Sequence, residues 1–172
     1  VSKALTSVGS KKVVILTPSL PSPTTKKLIA DFAAKYLTTQ HVVYDAVSSS
    51  NALDAAQEVY GKRELPFYDL KNSELVVSFN ADFVGDFNGG GMEGDYGVVR
   101  KPGPNMLRHI QVKSVLSLTG ANADTRFPLI PTDTEKVLAE VYSGLTGGSV
   151  SSKEAKSIVV ELKAKGSKAV VM

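Results

Sequence analysis

Leu75-Val76-Val77-Ser78-Phe79 decides the fold. The stretch is apolar at consecutive positions rather than alternate ones, as in a strand covered on both faces. Asn80-Ala-Asp82 follows, with the short polar side chains that close strands by bonding their own backbone. Upstream, residues 12–17 carry a second such run, Val13-Val-Ile-Leu16. Residues 40–45, 109–113 and 168–172 read as further strands. The two most continuous runs, 13–16 and 75–79, are expected at the sheet centre.

Helical signals lie between these strands. Ser22 is a candidate N-cap with Pro23 at the first helical position, and Leu28, Ile29, Phe32, Ala33 and Tyr36 share one helical face. Residues 48–51 cap a second helix through Tyr60, ended by Gly61. Thr132 or Asp133 caps a helix from 134 to about 145, stopped by Gly147-Gly148. Ser151 or Ser152 opens another, running to Lys165 and broken by Gly166. Strands alternating with helices predict a three-layer αβα domain with a mostly parallel sheet of about five strands. Residues 1–11 read as a disordered or linker-like start, and residues 12–172 as a single α/β domain.

Composition excludes several classes. The chain has 172 residues, 42% hydrophobic and 22% charged. These are ordinary values for a globular domain. It has no cysteine, so it offers neither a disulfide framework, nor thiolates for an iron–sulfur cluster, nor a thiol nucleophile. Its two histidines, His41 and His109, leave little for a metal site or a Ser–His–Asp triad. The net charge of +3 is too mild to point to nucleic acid. The chain opens Val1-Ser2-Lys3 without an initiator Met and closes on an apolar, strand-like run. Both ends read as those of a fragment of something longer.

Residues 80–107 differ from the rest. Gly89-Gly90-Gly91 and Pro102-Gly103-Pro104 punctuate a long loop with room for a broken helix, and residues 87–104 are expected to be the most mobile ordered loop. The glycines do not make a phosphate loop. A dinucleotide fingerprint belongs between the first strand and its helix, where this chain has Pro18-Ser-Leu-Pro-Ser-Pro23.

Ligands on parallel sheets bind beyond the carboxyl ends of the strands, which points to residues 17–22, 45–50, 80–86 and 114–126. Asn80 and Asp82 are placed to reach such a crevice. Asn122, Asp124 and Arg126 alternate and so share one side of an extended segment. Arg126 can clamp a carboxylate or phosphate, or pair with Asp82 or Asp124 merely to order the loop. Both loops are expected at one end of the sheet. Asp45 sits where a ribose-binding acid would stand, but without the glycine fingerprint a capping role toward the second helix is the better reading. His109 reads as a strand-end histidine rather than a base, and no G-x-S-x-G elbow surrounds a serine.

Residues 75–85, then Arg108-His-Ile-Gln-Val112, then Ser114-Val-Leu-Ser-Leu-Thr-Gly-Ala-Asn-Ala-Asp-Thr-Arg126, carry a family resemblance. Ser22-Pro-Thr-Thr-Lys26, Tyr44-Asp-Ala-Val47, Gly61-Lys-Arg-Glu-Leu-Pro66 and Asp69-Leu70 extend it over about residues 12–147. Together they resemble the molybdopterin-oxidoreductase-like subunit of bacterial alternative complex III, a membrane quinol oxidoreductase. The resemblance implies an α/β domain of the formate dehydrogenase and dimethyl-sulfoxide reductase kind. It implies a scaffolding role with a vestigial cofactor site, on the periplasmic side of the inner membrane. Its partners would be the other domains of the parent chain and the other subunits of the complex. It puts no cofactor in this fragment, although the wider family binds molybdopterin guanine dinucleotide and holds iron–sulfur clusters elsewhere in the parent. Should the pterin site be retained, the matching positions are Asn80, Asp82, Thr119, Gly120, Asn122, Asp124 and Arg126. No catalytic residue or metal ligand is assigned. The chain departs from the family over 88–104, where a longer helical segment is usual. Two alternatives stand beside this reading: a working molybdopterin guanine dinucleotide-binding domain of a molybdenum oxidoreductase, and a stand-alone nucleotide-binding, flavodoxin-like protein.

Overall fold

The computed structural model describes residues 2–85, 87 and 90–172. The chain is α/β with parallel sheets, and it falls into two compact units that meet in sequence between Glu64 and Leu65.

The first unit contains α1 (Ser2–Val8), β1 (Val13–Thr17), α2 (Pro23–Lys35), β2 (Thr39–Val43) and α3 (Ser50–Tyr60). A helix therefore stands where the sequence reads as linker-like. The Ser22 hydroxyl caps α2 by accepting from Thr25 N, with Pro23 in the first turn. Gly61 closes α3 at φ 73°. Glycine adopts this left-handed backbone without strain. Strands β1 and β2 pair in parallel, Val13 beside Thr39 through Thr17 beside Val43, as a sheet of two strands. The run 13–16 is thus not at the centre of a larger sheet, and Val14 and Leu16 are exposed. A continuous apolar run records a preference for cover on both faces. Whether cover is supplied depends on elements distant in sequence.

The second unit contains β3 (Leu75–Phe79), α4 (Met92–Val99), β4 (Arg108–Val112), α5 (Leu118–Ala121), β5 (Thr125–Phe127), α6 (Pro131–Leu145), α7 (Lys153–Lys165) and β6 (Ala169–Val171). Its four strands are all parallel, in the order β5-β4-β3-β6. β3 is interior, as expected. Leu75 and Val77 join Ile110 and Val112 beneath Val137 and Val141 of α6 and Ile158, Val159 and Leu162 of α7. Val76 points the other way, into Leu70, Phe83, Tyr96 and Leu107. Cover on both faces explains why Leu75 through Ser78 are all buried. Each such aliphatic side chain contributes about 1.5–3 kcal/mol on leaving water.

Local chemistry fixes the helices of this unit. α6 begins earlier than the sequence indicates, with Ile130 at the N-cap and Pro131 in the first turn. Thr132 and Asp133 lie inside that turn, where a carboxylate complements the helix dipole. The Ser152 hydroxyl caps α7 by accepting from Ala155 N, while the Glu140 carboxylate of α6 receives Ser152 N (2.8 Å) and the hydroxyls of Ser151 and Ser152. A Cβ at Gly144 would stand 2.5 Å from Val150 Cγ2 and 2.8 Å from Val159 Cγ2, so glycine lets α6 approach this segment closely.

Two elements depart from the sequence reading. Met92–Val99 is a regular helix within the expected long loop, and it buries Tyr96 against the sheet. The mobility expected of residues 87–104 falls partly on residues 88 and 89, outside the described residues. Thr125–Phe127 is a strand, although residues 118–126 read as loop. At three residues it lies below the length at which side-chain periodicity becomes legible.

Candidate functional site

The carboxyl ends of β3 and β4 gather five of the seven residues singled out by sequence. Asn80 N donates to Val112 O at 2.9 Å, and Asn80 takes φ 60°, which turns the chain sharply out of β3. Asn tolerates this left-handed region better than most residues. Asp82 then meets the first turn of α5. Its Oδ1 accepts from Thr119 N (3.2 Å) and Thr119 Oγ1 (2.5 Å). The same hydroxyl accepts from Val84 N at 3.0 Å, so turn and helix lock each other. The Thr119 hydroxyl, aided by its backbone N–H, holds the Asp82 carboxyl below its ordinary range despite some burial. A Cβ at Gly85 would stand 2.6 Å from Asp82 Oδ2, so this closure requires glycine there.

Gly120 and Arg126 complete the group. A Cβ at Gly120 would come within 3.6 Å of Arg126 Nε. Arg126 lies opposite Gln111 on β5, and its Nη2 donates to Ser114 O (3.0 Å) and Lys113 O (3.4 Å). It makes no salt bridge among the described residues, so neither pairing considered from sequence, with Asp82 or with Asp124, forms. Backbone carbonyls at the end of β4 satisfy part of the guanidinium instead. Its buried Nε has no hydrogen-bond partner among the described residues.

Asn122 and Asp124 do not join them. Asp124 N donates to His109 O, and Asp124 Oδ2 accepts from His109 N (2.8 Å) and Arg100 Nη1 (2.7 Å), toward the amino end of β4. Burial alone would raise the Asp124 pKa, but Arg100 and the His109 amide hold the carboxyl below its ordinary range. Asn122 O accepts from Arg100 Nη2 at 3.0 Å and lies 3.1 Å from the Tyr96 hydroxyl. The expectation of one shared end is therefore corrected. A connection between parallel strands must start at one end of the sheet and finish at the other. With β5 at Thr125–Phe127, the segment 113–124 is that connection, and its last residues necessarily reach the amino end.

Sequence reasoning missed the residues that organise Asp124. Arg108 Nε and Nη2 hold Glu161 of α7 at 3.0 and 3.1 Å, and Arg108 Nη1 stands 3.9 Å from Asp124. Arg100 also donates to Leu107 O at 2.8 Å. Nothing local marks these arginines, because their partners are distant in sequence.

The first unit presents a separate place beyond its strands. Ser19, Asp45, Ser48, Ser49, Ser50 and Arg63 help line a cavity of about 370 Å³. Asp45 does not cap α3. Its carboxylate accepts from Ser19 N (2.8 Å) and Ser19 Oγ (2.5 Å), and the Ser19 hydroxyl above all lowers its pKa. Ser49 occupies the N-cap of α3 without a capping side-chain bond, and Arg63 pairs with Asp54 at 2.8 Å.

These arrangements define a class, an α/β chain whose polar loops bond chiefly to themselves. Among the described residues no group of three or more His, Cys, Asp or Glu is placed to hold a metal ion. No described helix is long and apolar enough to cross a membrane. The cavities lined by Ser19 and Asp45, by Leu65–Tyr68 with Gly90–Met92, and by Leu129, Asp133 and Glu140 include none of the seven singled-out residues. As a set, those seven do not fit a dinucleotide: Asp82 Oδ1 is engaged by Thr119, and Asp124 stands at the opposite end of the sheet. No protein-family model matches the chain, and no curated protein matches it significantly.

Proposed function

We propose that this chain is a scaffolding domain of a molybdopterin-oxidoreductase-like subunit, within a respiratory quinol oxidoreductase of the alternative complex III kind. In that reading it works on the periplasmic side, held to the membrane by partner subunits, and carries a vestigial cofactor crevice. The proposal rests on the resemblance of residues 75–85 and 108–126. One observation carries the vestigial part: the closed contact in which Thr119 binds both Asp82 and Val84 N. Opening that contact to admit a nucleotide would take partners from the Asp82 carboxylate, the Thr119 hydroxyl and the Val84 amide together.

The rival is a working pterin dinucleotide domain. Arg126 favours it, because a buried guanidinium nitrogen without an acceptor among the described residues, at the carboxyl end of a sheet, is suited to an anion. Calorimetric titration of the chain with guanosine diphosphate separates the two. The scaffold reading expects no heat of binding. Micromolar affinity that Asp82→Ala abolishes would overturn it.

A further inference from the structure

A polar chain crosses the apolar face of the second unit, between α4 and β4. His109 is fully buried there. Its ring packs against Phe83 and Tyr96, with centroids 5.2 and 5.5 Å away. Its Nδ1 lies 2.8 Å from the Tyr96 hydroxyl and its Nε2 lies 3.2 Å from Gln111 Oε1. The Gln111 amide nitrogen reaches Ala81 O at 3.4 Å, which also accepts from Ser78 Oγ at 2.9 Å. The Tyr96 hydroxyl has a second acceptor within reach, Asn122 O at 3.1 Å.

Donor counting fixes the proton positions. With its amide nitrogen directed to Ala81 O, Gln111 presents an oxygen to His109, so Nε2 must carry a hydrogen. In a neutral imidazole Nδ1 is then bare and accepts. The single Tyr96 hydrogen goes to it, and Asn122 O is left with Arg100. If His109 gains a proton, Nδ1 becomes a donor to the Tyr96 oxygen, which frees the tyrosine hydrogen for Asn122 O.

We propose that Tyr96 is a hydroxyl toggle, donating to His109 when the imidazole is neutral and to Asn122 when it is protonated, so that this core takes up a proton without losing a hydrogen bond. The swap reverses the bond between α4 and the sheet and adds one from α4 to the crossover segment. The charged surroundings work in both directions. Arg100, the C-cap of α4, and Arg108 of β4 oppose a positive imidazole, while Asp124, before β5, favours it. The turn after β3 presents the Phe83 ring. Burial is the main influence, and it pulls His109 down to about 4, against the Gln111 hydrogen bond. The toggle is therefore set to its neutral position near pH 7.

Nitrogen-15 NMR of the full chain tests this, with His41→Gln used to assign the two histidines. At pH 7 the proton should sit on Nε2. On acidification the carbonyl carbon of Asn122 should shift with the same midpoint as His109. Tyr96→Phe removes the acceptor offered to protonated Nδ1, so it should weaken proton binding by His109 at least about tenfold and abolish the Asn122 response. A proton on Nδ1 at pH 7, an Asn122 carbonyl that ignores the titration, or unfolding before His109 titrates would each overturn the proposal. The first two readouts need only the unaltered toggle, so they hold even if Tyr96→Phe does not fold.

Discussion

The two units use the same parts to opposite effect. Both contain parallel strands followed by capped helices. In the second, apolar side chains from α6 and α7 on one face, and from α4 and Phe83 on the other, enclose β3 and β4. In the first, Ala56 is the one buried apolar residue among those described, and Val14, Leu16, Leu28 and Val43 are exposed. Hydrogen bonds and caps can shape a unit, but removal of apolar surface from water supplies most of its stability. The contrast therefore predicts a stable second unit and a first unit that opens by local fluctuation.

The sharpest way to break this comparison is to hollow each unit in turn. Phe83→Ala should destabilise the chain by about 3–5 kcal/mol in denaturant unfolding, because it empties a fully enclosed site. Leu16→Ala, at an exposed strand position, should change stability by less than about 1 kcal/mol. Equal effects would mean that the first unit is as well packed as the second. Native-state hydrogen exchange reads the same contrast without mutation: amides of β3 and β4 should exchange only on global unfolding, and those of β1 and β2 much sooner.

The next effect is acid sensitivity. The folded chain depresses His109 from 6.5 to about 4, so folding favours the neutral ring. Its contribution is complete above about pH 6.5 and is lost as pH falls toward 4, amounting to roughly 3 kcal/mol over that window. Unfolding free energy should therefore fall more steeply between about pH 6.5 and 4.5 in the wild type than in His109→Gln. Identical slopes would remove the linkage.

Arg100→Ala should follow, at about 2 kcal/mol, since it takes the charged donor from a half-buried carboxylate and a donor from each of two carbonyls. Those groups are Asp124, Leu107 O and Asn122 O. The counterpart in the first unit, Arg63→Ala, breaks an exposed pair with Asp54 and should produce no measurable change. The smallest effect is at the caps. Ser152→Ala should lower global stability by about 1 kcal/mol, whereas Ser22→Ala should appear mainly as faster exchange in α2.

Much of the local structure was legible. Ser22 before Pro23, Gly61 after Tyr60 and the pair Ser151-Ser152 before α7, of which Ser152 is the cap, act within a turn of the chain, so sequence alone marks the places where these helices start or stop. The Leu75–Phe79 run marked the interior strand because cover on both faces leaves no polar alternation. The candidate site was half legible. Asp82 and Thr119 were picked out and do meet. Asp124 was expected at the carboxyl end and lies toward the amino end, because the direction of the connection depended on a three-residue strand with no periodicity to read.

The sequence by itself therefore determined the α/β class, the cap-set start of α2 and end of α3, and the exclusion of cysteine chemistry. Those properties depend on residues within a few positions of one another or on composition. Only the tertiary structure decided that Val13–Thr17 pairs in a two-stranded sheet, that Arg126 bonds carbonyls rather than a carboxylate, and that His109 is enclosed with Tyr96 and Gln111. Each depends on which distant segments supply cover, acceptors or charge. Such choices are settled by competition among whole-chain packings, which no local pattern encodes.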